Sequence, residues 1–215
     1  MPGRSVILLL VLIIGAVRPA GVSAASQATC THCPVASVQP KASQPLGKSD
    51  TSHGCKTGMK NSLPVPDPVC TPGAVNPTVT VQVLKNSAFR TGCVRDCVTS
   101  ESEKSVTYQW YGIPHPSNNE GASQTCELDH LVPLELGGAD TLDNIWPQCG
   151  PPDVQLAQRY FKQKDMVENY LANQAKTGKM NLAKAQAAIA ADWTQFLSQA
   201  TKFCSGNPSK CAAAK

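Results

Sequence analysis

The stretch from Cys126 to Cys149 constrains this chain more than any other. Glu127 to Leu136 is half apolar and β-prone, Gly137-Gly138 breaks the pattern, and Asn144-Ile145-Trp146 resumes it before Pro147. That order predicts strand, turn, strand: a hairpin with a long loop. The two cysteines bracket the hairpin and are placed to pin it as a disulfide. A structural zinc is a poorer use for them, since neither belongs to a CxxC pair.

The beginning of the chain reads as an export address. Met1 to Arg4 give a short positive start, Val6 to Val17 an apolar run interrupted by Gly15, and Val22-Ser23-Ala24 a site for signal peptidase. This predicts a signal peptide over 1–24, its apolar run being shorter than the roughly 20 residues of a membrane span. A soluble, secreted or extracytoplasmic protein follows. All 10 cysteines lie beyond the cut, and an even number in an exported chain favours disulfides. Cys30-Thr31-His32-Cys33 is read the same way, because no second CxxC completes a zinc cage. Residues 25–66, rich in Ser, Thr, Gln, Lys and Pro, have too few large apolar side chains to offset their ordering entropy and predict a disordered, flexible arm. A folded domain is expected over 67–204 and a short tail over 205–215.

Around the hairpin the signals are mixed. Val79, Val81 and Val83 alternate as in a strand, yet Thr80 serves equally as the cap of a short helix reaching Phe89, and both readings stand. After Pro151-Pro152, Asp153 is expected to cap a helix carrying Tyr160, Phe161, Val167, Tyr170 and Leu171 and ending near Gly178. A second helix starts at Asn181, with Leu182, Ala185, Ile189, Trp193, Phe196 and Leu197 on one stripe. The fold class is α+β, a hairpin and helix core with a C-terminal helical hairpin. Charge is divided: residues 159–215 hold nine Lys/Arg and three Asp/Glu, residues 25–158 eight and twelve. A basic C-terminal third suits a polyanion such as nucleic acid, although solvated helix faces carry similar surpluses.

Asp129 and His130 close the first strand. Hydrolysing a phosphodiester needs a base to deprotonate water and a cation to neutralise the charge that develops. Asp129 is suited to hold a divalent ion, and His130, whose type titrates at about 6.5, to take the proton. A carboxylate favours Mg²⁺ or Mn²⁺ over Zn²⁺. Consecutive strand side chains face opposite ways, so the pair requires a bend or bulge. Asn144, across the hairpin, is placed to bond the loop backbone and fix the ring. An Asp-His pair also occurs at ordinary turns, where the aspartate bonds the backbone and the histidine is surface.

The string DHLVPLELGGADTLDNIWPQ, followed by a helix, resembles the HNH (ββα-metal) nuclease superfamily in the branch where aspartate replaces the first histidine. Within it the chain is similar to small bacterial proteins with DHLxPLxLGG and NxWPQ. Weaker similarity runs upstream to Pro68–Gly73 and downstream through Lys164-Asp165, Glu168, Gly178, Leu182, Ala185-Gln186 and Asp192-Trp193. The resemblance implies a ββα-metal fold and a secreted, metal-dependent endonuclease of low sequence specificity acting on DNA or RNA. It makes Asp129 a metal ligand, His130 the general base and Asn144 the residue that stiffens the hairpin. The chain departs from the family where a second ligand should come from the helix: that region begins Pro151-Pro152-Asp153, and no histidine follows His130. Asp153, Gln158, Asp165 and Glu168 are the candidates for the missing ligand, the last two sharing a helix face. Arg159, Lys162 and Lys164 are expected to contact phosphates without reading sequence. The alternative is a non-catalytic secreted domain that keeps the hairpin as a binding scaffold.

Overall fold

The computed structural model describes residues 33–35, 38, 54–95 and 104–211, so the expected signal peptide and most of the expected arm lie outside the described residues. The described part is α+β, with two small antiparallel sheets and a set of helices. Strands β1 (Gly58–Lys60) and β2 (Leu63–Val65) pair across a tight turn at Asn61-Ser62, both at positive φ. Residues 54–66 are therefore folded, within a stretch whose composition reads as arm. They borrow a core they do not carry: Leu63 is buried among the C-terminal helices, and the Trp193 indole donates to Pro64 O at 3.0 Å. The Cys55–Cys70 disulfide closes the segment.

At Thr80 the helical alternative prevails. Its hydroxyl accepts from Val83 N at 3.3 Å, capping α1 (Val81–Lys85). The alternating valines do not face opposite sides of a sheet; Val79 and Val83 are buried with Leu84, Phe89 and Leu134 beside the Cys33–Cys93 disulfide. Cys33 thus bridges to a distant partner and not within its CxxC. A short helix, α2 (Val106–Trp110), supplies Trp110 and neighbouring Tyr111 to pack near Trp146.

The central hairpin is β3 (Cys126–His130) and β4 (Ile145–Cys149), in register from Cys126↔Cys149 to His130↔Ile145. A disulfide joins Cys126 and Cys149 at its open end. The Gly-Gly pair is demanded by the loop. Gly137 has φ +76, and a Cβ on Gly138 would lie 1.8 Å from Val132 O. Gly138→Ala is therefore expected to destabilise the fold by about 3 kcal/mol in urea unfolding, the upper range for overpacking. Gly112→Ala, where a side chain meets open space at φ +62, should cost only about 1–2 kcal/mol from the left-handed backbone. Equal losses would mean that the close approach at Gly138 is not what matters.

Helix α3 (Tyr160–Lys176) packs against both strands of this hairpin. It begins later than the Asp153 cap suggests. Residues 156–158 form a 3-10 turn, and Arg159 stands extended at the N-cap, bonded to the carbonyls of Gln124, Ala122, Pro152 and Val154. Helix forms only once Phe161, Val167 and Leu171 can be buried, all three at 0 % exposure. Helix α4 (Leu182–Asp192) starts after its Asn181 cap. The stripe expected to continue as one helix breaks at Asp192, whose carboxylate accepts from Thr194 N and opens a 3-10 turn before α5 (Leu197–Gly206). The break seats Trp193 in the core with Val132, Leu136, Val167 and Ile189. A last turn, α6 (Pro208–Cys211), is tied to α5 by Cys204–Cys211. Among the described residues no helix is long and apolar enough to cross a membrane.

Candidate functional site

The strand ladder ends at His130 and the chain bends at Leu131-Val132, so Asp129 and His130 line one cavity of about 210 Å³. The bend is held by Asn144. This fully buried amide accepts from Val132 N at 2.9 Å and donates to Val132 O at 2.9 Å and Ala139 O at 2.7 Å. Leu131 N adds a bond to Asn144 O at 2.8 Å. Asn144 fixes the backbone on which His130 sits and is itself walled off from the cavity.

His130 has a partner that sequence reasoning missed. Its Nε2 lies 2.7 Å from Oδ1 of Asp140, a carboxylate at 0 % exposure that also pairs with Lys104 Nζ at 3.0 Å. Burial pushes the Asp140 carboxyl up, but the His130 hydrogen bond and the charges of His130 and Lys104 outweigh it and hold it at about 2. Asp140 is therefore an anion at all ordinary pH. Its position inside the hairpin string was the available signal; Lys104, outside the string, gave none.

Asp129 is engaged on one oxygen. Oδ2 accepts from the Trp146 indole at 2.9 Å and from Lys164 Nζ at 2.8 Å. Lys164 is wholly buried and also donates to His130 O at 2.7 Å and Glu168 Oε1 at 2.5 Å. Burial alone would lower its pKa; the Asp129 and Glu168 carboxylates more than reverse this and keep it charged.

Of the four candidate ligands, Asp165 and Glu168 line the cavity with Asp129, whereas Asp153 and Gln158 lie in the exposed turns before α3 and do not. Among the described residues no group of three or more His, Cys, Asp or Glu side chains is arranged to hold a metal ion. Lys164 explains why. Its ammonium already bonds one oxygen each of Asp129 and Glu168, and Lys162 pairs with Asp165, so an ion at Asp129 would sit against a buried positive charge. The residues present do not fit a divalent ion shared between Asp129 and α3.

Two expected phosphate contacts are also corrected. Lys164 has no exposed surface, and Arg159 is 5 % exposed with its guanidinium spent on backbone carbonyls. Lys162 does reach the cavity, paired with Asp165 at 2.9 Å and near Glu127 at 3.7 Å, and exposed Arg95 joins it there. His130 also borders a second cavity of about 660 Å³, whose lining includes Arg95, Lys104, Tyr108 and His115. Glu127 and His130 belong to the walls of both.

The first cavity is rich in carboxylates. Burial, reinforced by Asp165 and Asp129, pushes Glu127 up to about 7, and burial together with Asp165 brings Glu135 to about 7. Asp165 and Glu168 are raised as well, again chiefly by burial. An acid whose folded pKa exceeds its unfolded value binds more protons when folded, so stability falls as pH climbs between the two values. For Glu127 and Glu135 that window runs from 4.5 to about 7. One pKa unit is about 1.4 kcal/mol, and a side chain one-third exposed, as at Glu127, is discounted by half for screening, so a loss of about 4 kcal/mol is expected from pH 5 to pH 8. Urea unfolding at the two pH values checks this. Glu135→Gln should flatten the slope, and a wild-type protein more stable at pH 8 would refute the assignment.

Comparison of the chain with family models, curated proteins and solved structures finds no match. The fold and site define a disulfide-bonded α+β protein with a histidine-carboxylate couple at the end of a clamped hairpin.

Proposed function

We propose that this protein is an exported phosphodiesterase cleaving nucleic acid with low sequence specificity, its β3–β4–α3 unit being a hairpin and helix of HNH type and His130 its general base. The observation that carries the reading is the 2.7 Å contact between His130 Nε2 and the ionised Asp140, beside a cavity that also receives Arg95 and Lys162. An anion on Nε2 places the ring proton there and leaves Nδ1 as acceptor. Nδ1 then takes a proton from water as the water oxygen bonds to phosphorus; the phosphorus–ester oxygen bond breaks, and the departing oxygen is protonated from solvent. Asp140 stabilises the imidazolium that results. Arg95 and Lys162 offer positive charge to the phosphate, and contacts of that kind carry no sequence information. The leader-like first residues and the four disulfides among the described residues support export.

A second reading, a binding domain on a degenerate site, draws on the neutralisation of Asp129 by Lys164. Incubating the protein with plasmid DNA and with RNA, in Mg²⁺, in Mn²⁺ and in a chelator, separates the two. Cleavage by wild type and not by His130→Ala is expected under at least one condition. Cleavage by both alike, or by neither, would overturn the enzyme reading.

A further inference from the structure

We propose that Lys164 is a built-in cation standing where HNH nucleases hold a divalent ion, so that this site binds no ion at Asp129 and works without one. The inference rests on the HNH-type reading of the hairpin and goes beyond it in dispensing with the metal. Three observations carry it.

The first is saturation. An ammonium has three N–H donors, and Lys164 Nζ has three acceptors within hydrogen-bond distance: Asp129 Oδ2 at 2.8 Å, Glu168 Oε1 at 2.5 Å and His130 O at 2.7 Å. The second is origin. The family resemblance puts the second ligand near Asp153, which here lies in an exposed turn; what the following helix α3 brings to Asp129 is the ammonium of Lys164. The third is closure. Lys164 is fully buried, Asp129 is 3 % exposed, and the Trp146 indole holds the same Asp129 oxygen at 2.9 Å. An entering ion would meet an ammonium with nowhere to go, since expelling it would break three charge-assisted bonds and leaving it would set like charges side by side.

Lys164 touches no substrate and is a positioning residue. Through Asp129 it fixes the end of β3, and through the carbonyl of His130 it fixes the base. Charge neutralisation at the phosphate then falls to Arg95 and Lys162.

The test pairs Mn²⁺ titration, followed by the electron paramagnetic resonance signal of free Mn²⁺, with cleavage assays in a chelator and in Mg²⁺. Wild type is expected to leave the Mn²⁺ signal unchanged up to millimolar ion and to cleave equally well in both buffers. Lys164→Asn, which removes the ammonium and offers an amide oxygen, should gain a Mn²⁺ site, binding at least tenfold tighter than wild type, and lose it again when Asp129→Asn is added. Wild-type Mn²⁺ binding abolished by Asp129→Asn would overturn the inference. So would cleavage that requires Mg²⁺, although the phosphodiesterase reading would survive that result. A folded Lys164→Asn protein that binds no Mn²⁺ also counts against it. Should Lys164→Asn fail to fold, the wild-type and Asp129→Asn titrations decide alone. Absence of cleavage under every condition would defeat the parent reading, and the Mn²⁺ titration would still settle whether Asp129 holds an ion.

Discussion

His130→Ala is expected to lower phosphodiester cleavage by about 10²–10⁴-fold, the range that loss of a positioned general base produces. In the proposed mechanism the effect falls on kcat, because there the ring acts on the attacking water while the phosphate is left to Arg95 and Lys162, which line the same cavity. Stability should change little. The imidazole is 13 % exposed, and the partner it leaves behind, Asp140, keeps its bond to Lys104. Asp140→Asn provides the companion measurement: an amide at that place no longer stabilises an imidazolium, so kcat should drop again with KM nearly constant. If His130→Ala cleaves as wild type does, the enzyme reading falls with the base assigned to it.

Asn144→Ala should be the most damaging single change in the hairpin loop, lowering unfolding free energy by about 3–5 kcal/mol. The side chain makes three hydrogen bonds in a fully buried position. Removing it strands the N–H and C=O of Val132 and the C=O of Ala139, and each buried group left without a partner costs about 1–3 kcal/mol. Relief is partial, because Ala139 and Val132 are themselves buried. Asn144→Asp tests the same clamp from the other side. It retains an acceptor for Val132 N but turns a carboxylate oxygen toward two carbonyls, so it should be no better tolerated than alanine. Urea unfolding that places either variant within about 1 kcal/mol of wild type would remove the clamp from the account of the site.

These residues differ in how plainly the sequence announced them. The hairpin, its cysteine bracket and the Asn144 amide were legible because their partners lie within the same short string, where strand alternation and turn chemistry act locally. Asp140 sat in that string unnoticed, since a carboxylate after Gly-Gly-Ala looks like any loop acid until the loop folds back on His130. Lys104 and Arg95 reach the site through tertiary packing, and no spacing in the chain records that. Lys164 is the instructive miss. It lies three residues after Phe161 and seven before Leu171, on the inward stripe of α3, and Glu168 follows it by one turn. A lysine and a glutamate on an apolar face signal a buried ion pair, whereas the basic surplus of the C-terminal third assigned the lysine to phosphate contact. The misplaced helix start has a related cause: Asp153 has the chemistry of a cap, but the residues behind it had nothing to bury.

The N-terminal hairpin β1–β2 is fastened to the far end of the chain. Lys60 Nζ donates to Ala191 O at 2.7 Å, Asn61 Nδ2 to Thr194 Oγ1 at 2.9 Å, and the Trp193 indole to Pro64 O. These bonds join residues 129 to 133 positions apart and surround the tryptophan at the centre of the helical core. The first and last thirds of the described fold therefore share one core. The central hairpin lies between them in sequence, so the core beneath it is closed by a strap that begins well before residue 67, inside a stretch whose composition reads as arm.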